Sequence, residues 1–323
     1  MNAQVHLLRM IEEGIEKSEW GSEPHSLYDP IRYIMALGGK RMRPLLTCLA
    51  YSVYRKDVER IIPYAVAVEA FHNFTLMHDD IMDKAPLRRG KKTVHEKWNT
   101  NTAILSGDVM LVKVYDRFLD LETHQLKEVL ALFNRTAAEV CEGQQWDMEF
   151  EAKLRVSEEE YLDMIRLKTA VLLGFSLELG ALLAGASKQD RQALYNFGVN
   201  IGIGFQLKDD FLDVYADKKK FGKQVGGDII ANKKTFLLIK ALEKAKGKDK
   251  TALNGWLKAT RFRKAEKVKA VTALYNKLGI QAETEQKIKE YFDKGFAAIQ
   301  TLSAKDQIPE LLNFANNIAA RQK

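Results

Sequence analysis

The stretch PYAVAVEAFHNFTLMHDDIMD, residues 63–83, sets the reading of the whole chain. Pro63 stands where a first-turn proline opens a helix, and small or apolar residues run through the segment that follows. A helix that is apolar nearly all round is a buried helix. This one ends in three carboxylates, Asp79, Asp80 and Asp83, within five positions. Like charges at i and i+4 cost about 0.2–0.5 kcal/mol even in water, and more where water is scarce. The stretch therefore predicts a buried helix whose acidic end is kept for chemistry.

Helical periodicity continues outward from it. SLYDPIRYIMALGG (26–39) reads as a helix stopped by Gly38 and Gly39, with Pro44 opening the next. SEEEYLDMIRLKTAVLLGFSLELGALLAG (157–185) starts with Ser157 as N-cap and acids in its first turn. ALYNFGVNIGIGFQLKDDFLDVYAD (193–217) is a second long, mostly apolar helix, and from about Lys234 a series of amphipathic helices follows. No strand alternation is strong enough to build a sheet, and no linker divides the chain. With 6 Pro and 20 Gly in 323 residues, the expectation is one all-α domain, residues 1–323, of ten or more helices.

Composition bounds the partners. Hydrophobic residues make up 46% and charged residues 29%, as in ordinary globular proteins. The net charge of +7 suits phosphates, nucleic acid or a membrane surface without choosing among them. Cys48 and Cys141 share no metal spacing and suggest no disulfide framework, so a reducing, cytoplasmic setting is expected. The N-terminus MNAQVHLLRMIEEGIEK reads as an amphipathic helix rather than a signal peptide. No run of about 18 apolar residues predicts a membrane span.

The acidic pattern recurs. QLKDDFLD (206–213) carries Asp209, Asp210 and Asp213 at the spacing of the first motif. Residues i and i+4 share a helix face about one turn apart, so each motif offers a row of oxygens. Two such rows facing each other would make a strongly negative cavity. Hard divalent ions, Mg²⁺ or Mn²⁺, relieve that repulsion, and magnesium usually shares its shell with substrate phosphates. One row alone fits a solvated helix face equally well; two rows, each on an apolar helix, favour metal.

Basic residues flank these rows. GGKRMRP (38–44) packs Lys40, Arg41 and Arg43 just before a helix N-terminus, a setting that suits a diphosphate held without metal. Taken alone it fits a plain turn as well. Arg88 and Arg89 in PLRRG (86–90) lie within reach of the first acidic motif. Lys168 and Thr169 interrupt an apolar helix, and FGKQVGGD (221–228) is a glycine-flanked lysine loop with neither Walker nor Rossmann spacing. His72, seven residues before Asp79, fits either a satisfied core residue or a phosphate contact.

Together these stretches resemble the trans-isoprenyl diphosphate synthases, the polyprenyl synthetase family. The matching segments are GGKRMRP, MHDDIMDKAPLRRG, GDVML, GQQWDMEFE, RLKTA, GFQLKDDFLDVYAD and FGKQVGGDIIANKKT, in the family's order and spacing. The resemblance runs from about residue 25 to 240. It implies an isoprenoid synthase-type helical bundle around a central cavity and a homodimer. It also implies Mg²⁺-dependent head-to-tail condensation of isopentenyl diphosphate with an allylic diphosphate. On that resemblance Asp79, Asp83 and Asp209 are the main metal ligands, supported by Asp80, Asp210 and Asp213. Arg88, Lys168 and Lys223 clamp the allylic diphosphate, while Lys40, Arg43, His72 and Arg89 hold isopentenyl diphosphate, with Arg41 beside them in the same basic turn. Thr169 and Gln206 face the reacting carbons, and Lys233 supports the second acidic cluster. Asn232, where many members have Gly, puts only the local turn in doubt.

The chemistry agrees with the resemblance. Breaking an allylic C–O bond makes a carbocation, which needs an apolar, dry pocket, and a diphosphate anion, which needs cations. The growing chain must point away from the acidic row, so Phe74, about one turn before Asp79, would block a long product while Thr75 leaves space; packing between helices is the other reading of Phe74. An aromatic only at Phe74 goes with C20 products in the family, and C15 is the next expectation. Three rival readings remain. A terpene cyclase on the same scaffold would not need both GGKRMRP and RRG. A non-catalytic or partner-dependent subunit would tend to lose aspartates, and all six are present. A nucleic-acid binder would not set its basic residues beside acidic motifs.

Overall fold

The computed structural model describes residues 3–216, 226–304 and 308–321. In chain order it contains α1 (Ala3–Glu16), α2 (His25–Ala36), α3 (Met42–Tyr54), α4 (Ile62–Met82), a hairpin of β1 (Leu87–Arg88) and β2 (Lys91–Lys92), α5 (Val94–Lys97) and α6 (Thr100–Phe118). Then come α7 (Thr123–Ala152), α8 (Glu158–Ile165), a π-helical turn at Arg166–Ala170, α9 (Val171–Leu183) and α10 (Lys188–Tyr215). The C-terminal part holds α11 (Gly227–Ala231), α12 (Phe236–Lys244), α13 (Gly247–Lys258), α14 (Lys264–Lys277), α15 (Ile280–Ile299) and α16 (Pro309–Ala319). The all-α expectation holds. The chain forms two compact units, one of residues 1–135, 175–195 and 302–311, the other of residues 136–174, 196–301 and 312–323.

In the first unit α4 is the central element. Residues 65–71 are all buried, and α1, α2, α3 and α6 pack around it. Phe71 anchors an aromatic group centred on Phe133, with Phe118 and Phe175, at centroid distances of 5.0–5.9 Å. Truncating such a ring typically costs about 3–5 kcal/mol, so the acidic end of α4 stands on a stiff base. Beyond it the chain makes the one strand pairing among the described residues. Leu87 pairs with Lys92 and Arg88 with Lys91, and Arg89 and Gly90, at φ 53° and 75°, form the two-residue turn. Two left-handed residues match the twist of a tight hairpin. A stretch too short to show alternation in sequence thus fixes the directions of Arg88 and Arg89.

In the second unit, α8 begins with a reciprocal capping box between Ser157 and Glu160, as the N-cap reading expects. The helix then widens into the π turn at RLKTA, a feature frequent at functional sites and invisible to apolar periodicity. Val214, Ile229, Leu237, Leu238, Val271 and Tyr275 build the core beneath α11. Among the described residues, no helix is long and apolar enough to cross a membrane.

Candidate active site

The first acidic row caps α4. Asp83 closes the helix, its backbone N–H donating to the Asp79 carbonyl at 2.8 Å, so the two carboxylates lie one turn apart. Asp80 is 2% exposed. The Arg88 guanidinium grips it in a fork, Nε to Oδ2 at 2.8 Å and Nη2 to Oδ1 at 2.7 Å, and lies 3.5 Å from Asp79. A buried carboxylate needs such a partner. The resemblance places Arg88 on the allylic diphosphate; its fork also neutralises the most buried acid of the row.

A cationic cluster stands beside it in the same unit. Arg43 Nη1 lies 3.0 Å from His72 Nε2. A guanidinium only donates, so Nε2 accepts and the ring carries its proton on Nδ1. Burial, reinforced by the charges of Arg43, Arg89, Arg88 and Arg41, holds His72 well below its usual pKa and so neutral. Burial also pushes Arg43 down to about 10, with Arg89 adding to the effect and Glu69 opposing it. Arg43 Nε is buried without a hydrogen-bond partner. Arg89 donates to the Gly38 carbonyl and lies across Gly39, where an added Cβ would meet the guanidinium at 2.8 Å. Gly39, at φ 142°, is glycine for both reasons. Lys40 follows it, exposed.

Arg41 departs from the expectation of a substrate contact. It is 3% exposed, and each of its three side-chain nitrogens already donates. The acceptors are Glu12 at 2.9 and 3.3 Å, Glu69 at 2.8 Å and the Met35 carbonyl at 2.8 Å. Its left-handed backbone, φ 47° and ψ 36°, turns the side chain inward.

Phe74, half-buried, packs against His78 at 4.8 Å and Phe71 at 5.7 Å between ring centroids. His78 in turn lies 3.2 Å from the Ile104 carbonyl of α6. The Thr75 hydroxyl donates to the His72 carbonyl at 2.8 Å.

In the second unit, Asp210 is 6% exposed and accepts from the Tyr161 hydroxyl at 2.5 Å and Gln206 Nε2 at 3.0 Å. The Thr169 hydroxyl donates to Gln206 Oε1 at 3.2 Å, which joins the π turn to this chain of bonds. Burial pushes the Asp210 carboxyl up to about 6 despite Lys233 and these donors. Burial and Asp210 together push Asp228 to about 7. Asp213 accepts the backbone N–H groups of Gly227 and Asp228 at 3.2 and 2.9 Å, so it caps α11. Asp209 pairs with Arg321 at 2.6 Å. Asn232 sits at φ 55°, a conformation asparagine tolerates. It accepts from Lys267 at 2.6 Å and donates to the Leu257 carbonyl at 3.1 Å. Lys223 lies outside the described residues.

Asp147, from GQQWDMEFE, was not singled out by sequence. It receives Lys168 at 2.7 Å and Lys233 at 3.7 Å. Burial works to raise its carboxyl, but the two lysines hold it below the usual range. Gly143, one turn before, lets the π turn approach: an added Cβ would lie 2.2 Å from the Lys168 nitrogen. Tyr161 and Asp228 escape the sequence reading too, and Arg321 enters it only within the basic C-terminus AARQK, as a closure over the isopentenyl diphosphate site rather than as a partner of Asp209. Their partners lie 15 to 112 residues away, a distance that no local spacing reports.

Comparisons with known proteins show the family. The polyprenyl synthetase family model matches residues 24–275, which include residues of both units. A geranylgeranyl pyrophosphate synthase of Geoglobus acetivorans is 42% identical over 237 residues, 73% of this chain and 74% of that one. A geranylfarnesyl diphosphate synthase of Natronomonas pharaonis is 36% identical over 250 residues, 72% and 73% of the two chains. A crystal structure of a geranylgeranyl pyrophosphate synthase superposes with a TM-score of 0.94 at 42% identity, covering all of both chains. The chain belongs to the polyprenyl synthetase family of trans-prenyltransferases.

Proposed function

We propose that the protein condenses isopentenyl diphosphate head-to-tail with an allylic diphosphate and releases a short all-trans prenyl diphosphate, C20 first. One observation carries this reading. The first unit holds two kinds of diphosphate setting side by side: an acidic row, Asp79 to Asp83, and a cluster of the half-buried Arg43 and neutral His72 with the exposed Arg89. A cyclase handles one diphosphate; two settings of opposite charge suit two diphosphates bound differently.

The donor chemistry fits a hard divalent ion. Among the described residues no three His, Cys, Asp or Glu side chains are arranged to hold a metal by themselves. Magnesium is commonly bound through one or two carboxylates plus substrate phosphates, and the one-turn Asp79–Asp83 pair supplies that share. Asp209 is the corresponding carboxylate of the second motif, with Asp80, Asp210 and Asp213 in support. Bound Mg²⁺, or Mn²⁺, would supply charge stabilisation to the leaving diphosphate.

The chain's own residues do the remaining work. Arg88, Lys168 and Lys223 hold the allylic diphosphate, and Lys233 steadies Asp147 and Asp210. Lys40, Arg43 and Arg89 donate to isopentenyl diphosphate. His72 accepts from Arg43 and so aims it. The Thr169 and Gln206 oxygens stabilise the carbocation without offering free water. The departing diphosphate takes the final proton as the base. Phe74 limits the product. The family resemblance supports a homodimer built from one polyprenyl synthetase domain, and the two thiols, Cys48 and Cys141, suit a reducing, cytoplasmic setting.

The test is direct. Purified protein is incubated with Mg²⁺, isopentenyl diphosphate and, separately, dimethylallyl, geranyl and farnesyl diphosphate, and products are sized by mass spectrometry. A discrete C20 product is expected. C25 or longer products keep the reaction and overturn the length assignment; no product with any starter overturns the reaction.

A further inference from the structure

Glu69 is a buried carboxylate, 2% exposed, set among cations. It acts electrostatically on Arg41, Arg43 and Arg89. In a dry interior it pairs with whichever guanidinium reaches it best. Here that is Arg41, at 2.8 Å. The left-handed turn at Arg41 sends its guanidinium to Glu69, Glu12 and the Met35 carbonyl, whereas Arg43, two residues on, goes to His72. Arg43 keeps a buried Nε with no hydrogen-bond partner. Its Nη1 meets a neutral histidine rather than a carboxylate, so its charge remains available to an anion.

We propose that Arg41 is a positioning residue for isopentenyl diphosphate: it sequesters Glu69, which would otherwise capture Arg43. This rests on the reading that the Arg43, His72 and Arg89 cluster binds that diphosphate. Arg41 touches no substrate. It removes a buried carboxylate that would compete with the diphosphate for Arg43, and Glu12 completes the neutralisation of its own charge. The three acceptors also explain why arginine stands here: a lysine point charge cannot serve two carboxylates and a carbonyl with fixed geometry.

The experiment compares wild type, Arg41→Met, Glu69→Gln and the double variant, by steady-state kinetics, calorimetric binding of isopentenyl diphosphate and melting temperature. Arg41→Met should raise KM and Kd for isopentenyl diphosphate about tenfold or more while KM for the allylic partner stays within about twofold. Adding Glu69→Gln, which keeps an acceptor for Asn73 but removes the charge, should restore the isopentenyl diphosphate constants to within about threefold of wild type. A merely structural Arg41 predicts a lower melting temperature, both substrates affected alike and no rescue; that result overturns the proposal. An unchanged KM in Arg41→Met overturns it also. If wild type binds no isopentenyl diphosphate, the functional reading falls and takes this proposal with it; if wild type binds and rescue fails, only the proposal falls.

Discussion

The Arg88 guanidinium holds the Asp80 carboxylate by two near-parallel bonds, 2.8 and 2.7 Å, at the point where α4 leaves the core. Repulsion within the acidic row is relieved by the protein itself at its most buried member. Asp79 and Asp83 lie on the more exposed side.

Arg88→Leu should therefore destabilise the protein as well as slow it. An uncompensated carboxylate at a site this buried costs about 2 kcal/mol, allowing for the 23% exposure of Arg88. Chemical denaturation measures it. Adding Asp80→Asn should recover most of the stability and none of the activity. If the double variant is no more stable than Arg88→Leu, the ion pair is not what holds this turn.

Asp79→Ala and Asp83→Ala should each lower kcat by about 10²–10³-fold, the usual cost of losing a charge-stabilising group. Both should raise the Mg²⁺ concentration at half-maximal rate, while the melting temperature stays near that of wild type. A full rate at ordinary Mg²⁺ in either variant would remove that aspartate from the metal assignment.

Phe74→Ala should lengthen the product by at least one five-carbon unit. The ring packs on His78, itself seated against α6, so its removal opens space that the backbone cannot refill. Product sizing decides: an unchanged C20 pattern in the variant assigns Phe74 to packing alone.

The second acidic cluster predicts a pH dependence of stability. Asp210 rises from 3.8 to about 6 and Asp228 from 3.8 to about 7, chiefly by burial. At these two groups the folded chain holds protons that the unfolded chain has lost, so their contribution to stability falls as pH rises through about 4 to 7, and above about 5, where carboxylates with lowered pKa no longer titrate, it sets the sign of the slope. Melting curves taken across that range with chelator present should show the fall, and Asp210→Asn should flatten it. A stability that climbs above about pH 5 would contradict the burial argument.

Gly143→Ala places a methyl 2.2 Å from the Lys168 backbone nitrogen. Overpacking of this kind costs about 1–3 kcal/mol. Because it pushes on the π turn, it should also loosen the Lys168–Asp147 pair and lower kcat. Thermal unfolding and kinetics report the two effects; a variant as stable and active as wild type would show that the close approach is relieved elsewhere.

The helical class was legible in residues 63–83, because apolar content and period are local properties that one segment displays alone. So were the two acidic rows, since i and i+4 meet on any helix. The Ser157 cap was equally local. What depended on tertiary structure was the partner of each charge. Arg41, Arg43, Arg88 and Arg89 look alike in sequence. Folding buries Arg41 on Glu12 and Glu69, sets Arg43 on His72, locks Arg88 on Asp80 and lays Arg89 over Gly39. Asp147 likewise acquires its lysines from 21 and 86 residues downstream. Backbone periodicity is encoded by neighbours in the chain, whereas the energy of a charge is set by burial and by whichever counter-charge the packing brings within about 4 Å.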